Sequence, residues 1–193
     1  MKKILLGLLG VTLLGLFSGC SINHPVAKDY GAYLEKSATP VNLPKTALKS
    51  DYLIDGKTEN HRYEFRAATV GYAHVWIVEF GKMLDQTLNA KYVQSAFGRL
   101  DKKTTKDVQK GELIEFSLEK YEFKDYRAYV TLKIKLSKDG ATTLEKAYIA
   151  SGNSQGGKMW AAGPFGMKSA TLESTKYAID DILKQFINDI PKP

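Results

Sequence analysis

The 193-residue chain has one cysteine and three histidines, and no apolar run reaches the roughly 20 residues that a membrane-spanning helix requires. Each shortage excludes something. A single cysteine, Cys20, makes no internal disulfide. His24, His61 and His74 are not at metal-ligand spacing and have no Cys or acidic cluster beside them, so no metal centre is expected. Asp180-Asp181 resembles a catalytic carboxylate pair, but helical neighbours diverge by roughly 100° and read as a solvated face. A Ser-His-Asp triad drawn from distant positions leaves no local signature. The chain is therefore read as a non-enzyme without a bound cofactor.

Charge and glycine offer two more candidates, and both weaken on inspection. The net charge is +7, yet the lysines are scattered and form no arginine-aromatic cluster, so no nucleic-acid partner is expected. A basic surface suits anionic lipid headgroups, or is simply a solvated exterior. Gly152, four residues, then Gly157-Lys158 spell the front half of the nucleotide-binding G-x-x-x-x-G-K-[ST] loop. Met159 stands where Ser or Thr would hold magnesium, and Gly163, Pro164 and Gly166 delay the helix that should start there. No nucleotide partner is expected either.

The first 19 residues have the layout of an export signal. Lys2 and Lys3 lead, residues 4–17 are apolar, and the small residues Ser18 and Gly19 precede Cys20. Small-small-Cys after such a run resembles the lipobox of bacterial lipoproteins. The resemblance implies cleavage before Cys20, a diacylglyceryl group on its thiol and an N-acyl chain such as palmitate on its amino group. Two or more acyl chains anchor a protein stably where one holds it marginally. Ser21, rather than Asp, after the cysteine implies sorting to the outer membrane, facing the periplasm. In a Gram-positive host the same anchor would sit in the cell membrane. Cleavage leaves 174 residues, enough for one domain, and removes two lysines.

Residues 20–50 carry Pro25, Pro40 and Pro44 and keep no period, so they read as a mostly irregular tether with at most a short helix near 28–36. Residues 51–193 read as a single domain. Residues 61–68 suit a strand, and 72–89 an amphipathic helix with Trp76, Ile77, Phe80, Met83, Leu84 and Leu88 on its stripe. Residues 92–97 suit a short strand, and 102–111 a polar loop. Residues 113–123 alternate, as do 126–136, where Ala128, Val130, Leu132 and Ile134 face one way. Lys138-Asp139-Gly140 signals a hairpin and 142–151 the return strand. A last helix is expected over 169–190, capped by Ser169 and ended by Pro191. Two amphipathic helices on one face of a mainly antiparallel meander give an α+β two-layer sandwich.

This order, with YRAYVTLKIKL, the KDG turn and YIASGNSQG leading into the final helix, resembles the YajG-like group of small envelope lipoproteins. Auxiliary lipoproteins of lipid-transport systems and LptE-like proteins share a similar order. None of these families brings catalytic residues to this chain. The resemblance implies an interaction or adaptor module in an envelope complex. The alternative is a binder of lipid or amphiphile between sheet and helices. Met159, Trp160, Phe165 and Met167, set among glycines, are the candidate contacts with a protein partner or a lipid.

Overall fold

Alternation over residues 112–151 produces the three longest strands, and they dominate the architecture. The computed structural model describes residues 21–36, 42–105 and 111–191, without the side chains of Met159 and Trp160. The signal segment and Cys20 lie outside the described residues. The strands are β1 (Ile22–Pro25), β2 (Lys49–Ile54), β3 (Tyr63–Phe65), β4 (His74–Val78), β5 (Arg99–Lys102), β6 (Glu112–Lys124), β7 (Arg127–Lys138) and β8 (Ala141–Ser151). The helices are α1 (Tyr30–Lys36), α2 (Gly56–Glu59), α3 (Phe80–Leu88), α4 (Lys91–Gln94) and α5 (Gly156–Asp189).

The large sheet runs β5-β2-β6-β7-β8. Two tight hairpins join β6, β7 and β8 antiparallel, turning at Asp125-Tyr126 and Asp139-Gly140, all four residues with positive φ. That is the backbone a two-residue hairpin with the right twist demands. A bulge at Glu119 shifts the inward phase of β6 from Ile114, Phe116 and Leu118 to Tyr121 and Phe123, so both sets reach the core. The meander is not the whole sheet: β2 pairs parallel with both β5 and β6, making the sheet mixed. A second sheet, β1-β4-β3, packs Tyr63 on Tyr121 and Phe65 on Phe123.

The final helix lies on the apolar face of β7 and β8. Ala178, Ile179, Ile182, Leu183 and Phe186 are fully buried, with the Phe186 ring edge-on to Tyr148. Helix α3 covers β2, where the Tyr52 hydroxyl donates to Asp85 Oδ1 at 2.9 Å and accepts from Asn89 Nδ2 at 2.8 Å. The α+β sandwich is thus the observed fold, with both helices on the sheet.

Several local expectations need correction. Residues 74–78 are a strand, not the first half of a helix; only Phe80, Met83, Leu84, Thr87 and Leu88 obey the helical spacing. As the middle strand of the small sheet, β4 buries Val75 to Val78 on both faces, and such a continuous apolar run also fits a helix. Residues 92–97 are not a strand; Val93, Ala96 and Phe97 are buried at steps of three and four around α4. Within the 20–50 segment, residues 21–36 are not an irregular tether, since β1 pairs with β4 and Val26, Ala27 and Tyr30 are buried. Its short helix is present as α1 after a 3-10 turn. The last helix starts at Gly156, so Ser169 is an interior residue and caps nothing.

Asp180 also departs from expectation. Asp181 is exposed, but Asp180 is buried beside Lys176, with Nζ to Oδ2 at 2.6 Å and the Tyr92 hydroxyl donating to Oδ1 at 2.6 Å. Burial pushes the Asp180 carboxyl up from its ordinary value, while Lys176 and Tyr92 pull it back. A buried pair of this kind is worth little net, but removing one partner strands the other charge. Asp180→Asn is expected to cost about 3–5 kcal/mol in urea unfolding, and a Lys176→Met/Asp180→Leu double variant to recover most of it.

Candidate interaction surface

The glycine-rich stretch between β8 and the body of α5 is where the sequence concentrates its candidates. Gly152 continues β8, its N–H donating to the Ala128 carbonyl at 2.9 Å. A Cβ there would lie 1.9 Å from the Ser174 carbonyl oxygen and 2.3 Å from Ser174 Oγ. Gly152 is therefore glycine because strand and helix touch backbone to backbone. Lys158 forms an ion pair with Glu173, across the bend in its own helix. Of the half P-loop, Gly152 thus serves packing, Gly157 has open space around it, and Lys158 is ion-paired.

The same glycines spell a second motif that sequence reasoning missed: Gly152-Asn153-Ser154-Gln155-Gly156 reads G-x-S-x-G between a strand and a helix. A working nucleophile elbow holds its serine in a strained turn on a sheet, with a histidine in reach. Ser154 is not among the positive-φ residues, and its hydroxyl donates to the Asp125 carbonyl at 3.4 Å. Among the described residues no histidine bonds to it; His24 bonds to His74, and His61 packs against Phe80 and Tyr121. The motif lacks the elbow's geometry.

Helix α5 breaks once. Gly163 has φ 53° and ψ −130°, a conformation for glycine, and Pro164 restarts the helix with the φ it prefers at a first position. The break divides the four candidate contacts. Met167, past it, is buried and lines a groove of about 330 Å³ with Phe65, Ala67, Phe123 and Tyr126. Phe165, at it, is 75% exposed. Met159 and Trp160 lie in the first segment, their side chains outside the described set. The structure thus separates Met167, a core residue, from Phe165, a surface one.

A free strand edge is the second surface feature, and no local motif announces it. Because Gly152 N bonds to Ala128 O, alternate pairs back along the ladder bond in the same way. The N–H and C=O groups of Glu145, Ala147, Ile149 and Ser151 then point away from β7, and among the described residues no further strand pairs with them. Gln185 Nε2 reaches the Ile149 carbonyl at 3.3 Å. The Ile149 side chain is 73% exposed on the outer face, near the Lys133–Glu145 ion pair.

Two histidines distant in sequence meet at the start of the small sheet. His24 Nε2 and His74 Nδ1 are 2.7 Å apart, so one donates and the other accepts, and the rings stack with Trp76. The pair arises from the β1–β4 register, which an irregular tether and a helical reading of residue 74 both conceal. Among the described residues no group of three or more His, Cys, Asp or Glu is arranged to hold a metal.

Two measurements test these assignments. Gly152→Ala is expected to destabilise by about 1–3 kcal/mol, read as a lower denaturant midpoint, because α5 must lift off the strand end. Burial first, then His74 and the Lys168 ammonium, hold the His24 imidazole below its ordinary 6.5. With the folded-state value depressed, the unfolded chain takes the proton first. The stability from neutral His24 is present above 6.5 and is lost as pH falls through the folded-state value. The unfolding midpoint should therefore drop between about pH 7 and pH 5, and His24→Gln should reduce that slope, leaving the part due to His61, which burial and then Lys57 also hold below 6.5.

No family model matches the chain, and no curated protein matches it. Among solved structures it is similar to the crystal structure of a Xanthomonas campestris protein of the DUF330 family, at 13% identity and a TM-score of 0.47. The alignment covers 75% of this chain and 84% of that one. A likeness of that degree carries no information about activity.

Proposed function

We propose that the protein is a lipid-anchored, periplasm-facing envelope lipoprotein that acts as a non-catalytic adaptor, held by acylated Cys20 in the outer membrane. Its partner is a protein that adds a strand to the free edge of β8. The observation that carries this reading is that edge: outward main-chain groups at Glu145, Ala147, Ile149 and Ser151, beside an isoleucine 73% exposed. Main-chain bonds supply the affinity in strand addition, and alternate side chains supply the specificity. Natural sheets blunt unused edges with charge, proline or covering elements. Among the described residues the cover on β8 amounts to Gln185 over one carbonyl, with Glu145 and Lys146 some way along.

The competing reading, an amphiphile held between sheet and helices, needs the two layers held apart. Against it stands the burial of Phe116, Ile134, Ile179, Leu183 and Phe186 between the layers, although a groove of about 340 Å³ opens where Ile190 at the end of α5 meets Leu48 and Leu136. The groove beside Met167 opens at the surface and does not separate the layers.

A photo-crosslinking residue at Ile149 in intact envelopes is expected to yield one discrete protein adduct. Ala147→Pro deletes an outward N–H while sparing the β7–β8 bonds, so it should abolish the adduct at a cost of about 1 kcal/mol or less in stability. An adduct that survives Ala147→Pro would overturn strand addition. Native mass spectrometry of the acylated protein should show the covalent lipid alone. A stoichiometric non-covalent lipid would favour the amphiphile reading.

A further inference from the structure

We propose that the end of the domain beside Cys20 is a membrane-contact face that lies directly on the phospholipid surface, with Ile22, Tyr72 and Phe165 at the apolar boundary. The proposal rests on the reading that Cys20 is acylated, and it adds an orientation that acylation alone does not supply.

The spacing to the anchor comes first. Only Ser21 separates Cys20 from β1, whose first residue, Ile22, donates its N–H to the Ala73 carbonyl at 2.8 Å. Two residues span at most about 7 Å. An anchor at Cys20 therefore leaves no room for the domain to stand off the bilayer, and this end must meet the headgroups.

The surface at that end fits what it would meet. β1 and β4 both start there, and β3 ends there, since Ile22 pairs with His74 and Phe65 with Trp76. The 66–73 connection is bound back on itself where the Arg66 guanidinium donates to the Tyr72 carbonyl. The β6–β7 turn joins it through the groove shared by Phe65, Thr69, Phe123 and Tyr126. The start of α5 joins it through the Gln155 N–H, which donates to the Tyr126 carbonyl at 3.0 Å. Five large apolar side chains are exposed in the described residues, and three of them are here: Ile22 at 48%, Tyr72 at 69% and Phe165 at 75%. Ala161 and Ala162, also exposed, extend the patch along the first segment of α5.

Charge agrees with the apolar pattern. Lys124 and Arg127 flank the turn, and neither makes an ion pair among the described residues. Asp125 is the carboxylate within the turn itself. Two unpaired cations beside an apolar rim suit anionic headgroups above acyl chains. A protein partner would also accept an apolar patch, but the short link to the anchor holds this patch against lipid first.

The test uses the mature, acylated protein in vesicles of phosphatidylethanolamine with phosphatidylglycerol. A thioether on Cys20 leaves no other thiol in the chain, so Tyr72→Cys, Phe165→Cys and Thr142→Cys each create a single site for a nitroxide. Thr142 is an exposed control at the opposite end, next to the Asp139-Gly140 turn. Collisions with oxygen relative to a water-soluble nickel chelate are expected to be several-fold higher at 72 and 165 than at 142. Equal ratios at all three sites overturn the proposal. Exclusion of both reagents at 72 and 165 overturns it as well, because it marks a protein–protein contact. The mass of the N-terminal peptide reads the anchor separately. Unmodified Cys20 refutes the anchor and the proposal together, whereas acylated Cys20 with water-exposed labels refutes the contact face alone.

Discussion

The close approach of β8 and α5 at Gly152 and Ser174 is the contact on which the rest of the arrangement depends. It fixes where the helix begins its run across the sheet. Small residues are buried around it, Ala170, Thr171, Ser174, Thr175 and Ala178, with Leu172 and Lys176 the larger buried side chains there. Ser174 Oγ also accepts the Ala128 N–H at 2.9 Å, and the Thr175 and Tyr121 hydroxyls meet at 2.8 Å, tying helix to β7 and β6 where the backbones are nearest. Farther along, Ile179, Ile182, Leu183 and Phe186 take over as inward residues, and larger side chains need a wider gap. The helix thus rides on a wedge, tight at one end and filled by bulk at the other. Eleven residues before Ser174 the helix breaks. The positive φ of Gly163 turns the chain there, and Phe165 is left outside.

How legible these features are in the sequence depends on the range of the interaction that makes them. The meander is local: alternation, two-residue turns and one-sided burial all lie within residues 112–151, and each implies the others. The helical stripe of residues 179–186 is equally local. The parallel pairings of β2 with β5 and β6 join residues about 50 to 60 apart, and nothing in residues 49–54 states which strands flank them. Residues 74–78 fail for another reason. A strand buried on both faces loses its alternation, and the run VWIVEF then fits a helix as well as a strand.

The surface features follow the same division. Phe165 stands out in sequence because it is a large apolar residue among glycines, and its exposure follows from a local break in the helix. Met167 stands out for the same reason and is buried, because two residues of helix rotate it toward Phe123 and Tyr126. The His24–His74 pair is invisible without the β1–β4 register, and the free edge of β8 without knowing that no ninth strand follows it among the described residues. The G-x-S-x-G spelling at Ser154 shows the reverse hazard: a motif is fully legible, while among the described residues neither the strained turn nor a bonded histidine accompanies it.

The short link at Ser21 joins the two proposed surfaces into one geometry. With the Ile22 end on the bilayer, β7 and β8 both have one end near the headgroups and the other at the Asp139-Gly140 turn. Twelve residues of β7 at about 3.3 Å each place that turn up to about 40 Å away from the membrane. The free edge of β8 would then run outward from the bilayer, with Ile149 near its base. A partner strand would enter alongside the membrane rather than from a distance, since a domain without a tether cannot swing out to meet it. Strand addition and membrane contact would then constrain each other. The bilayer fixes the tilt of the edge, and only a partner whose own strand stands at that tilt near the surface can pair along the full length of β8.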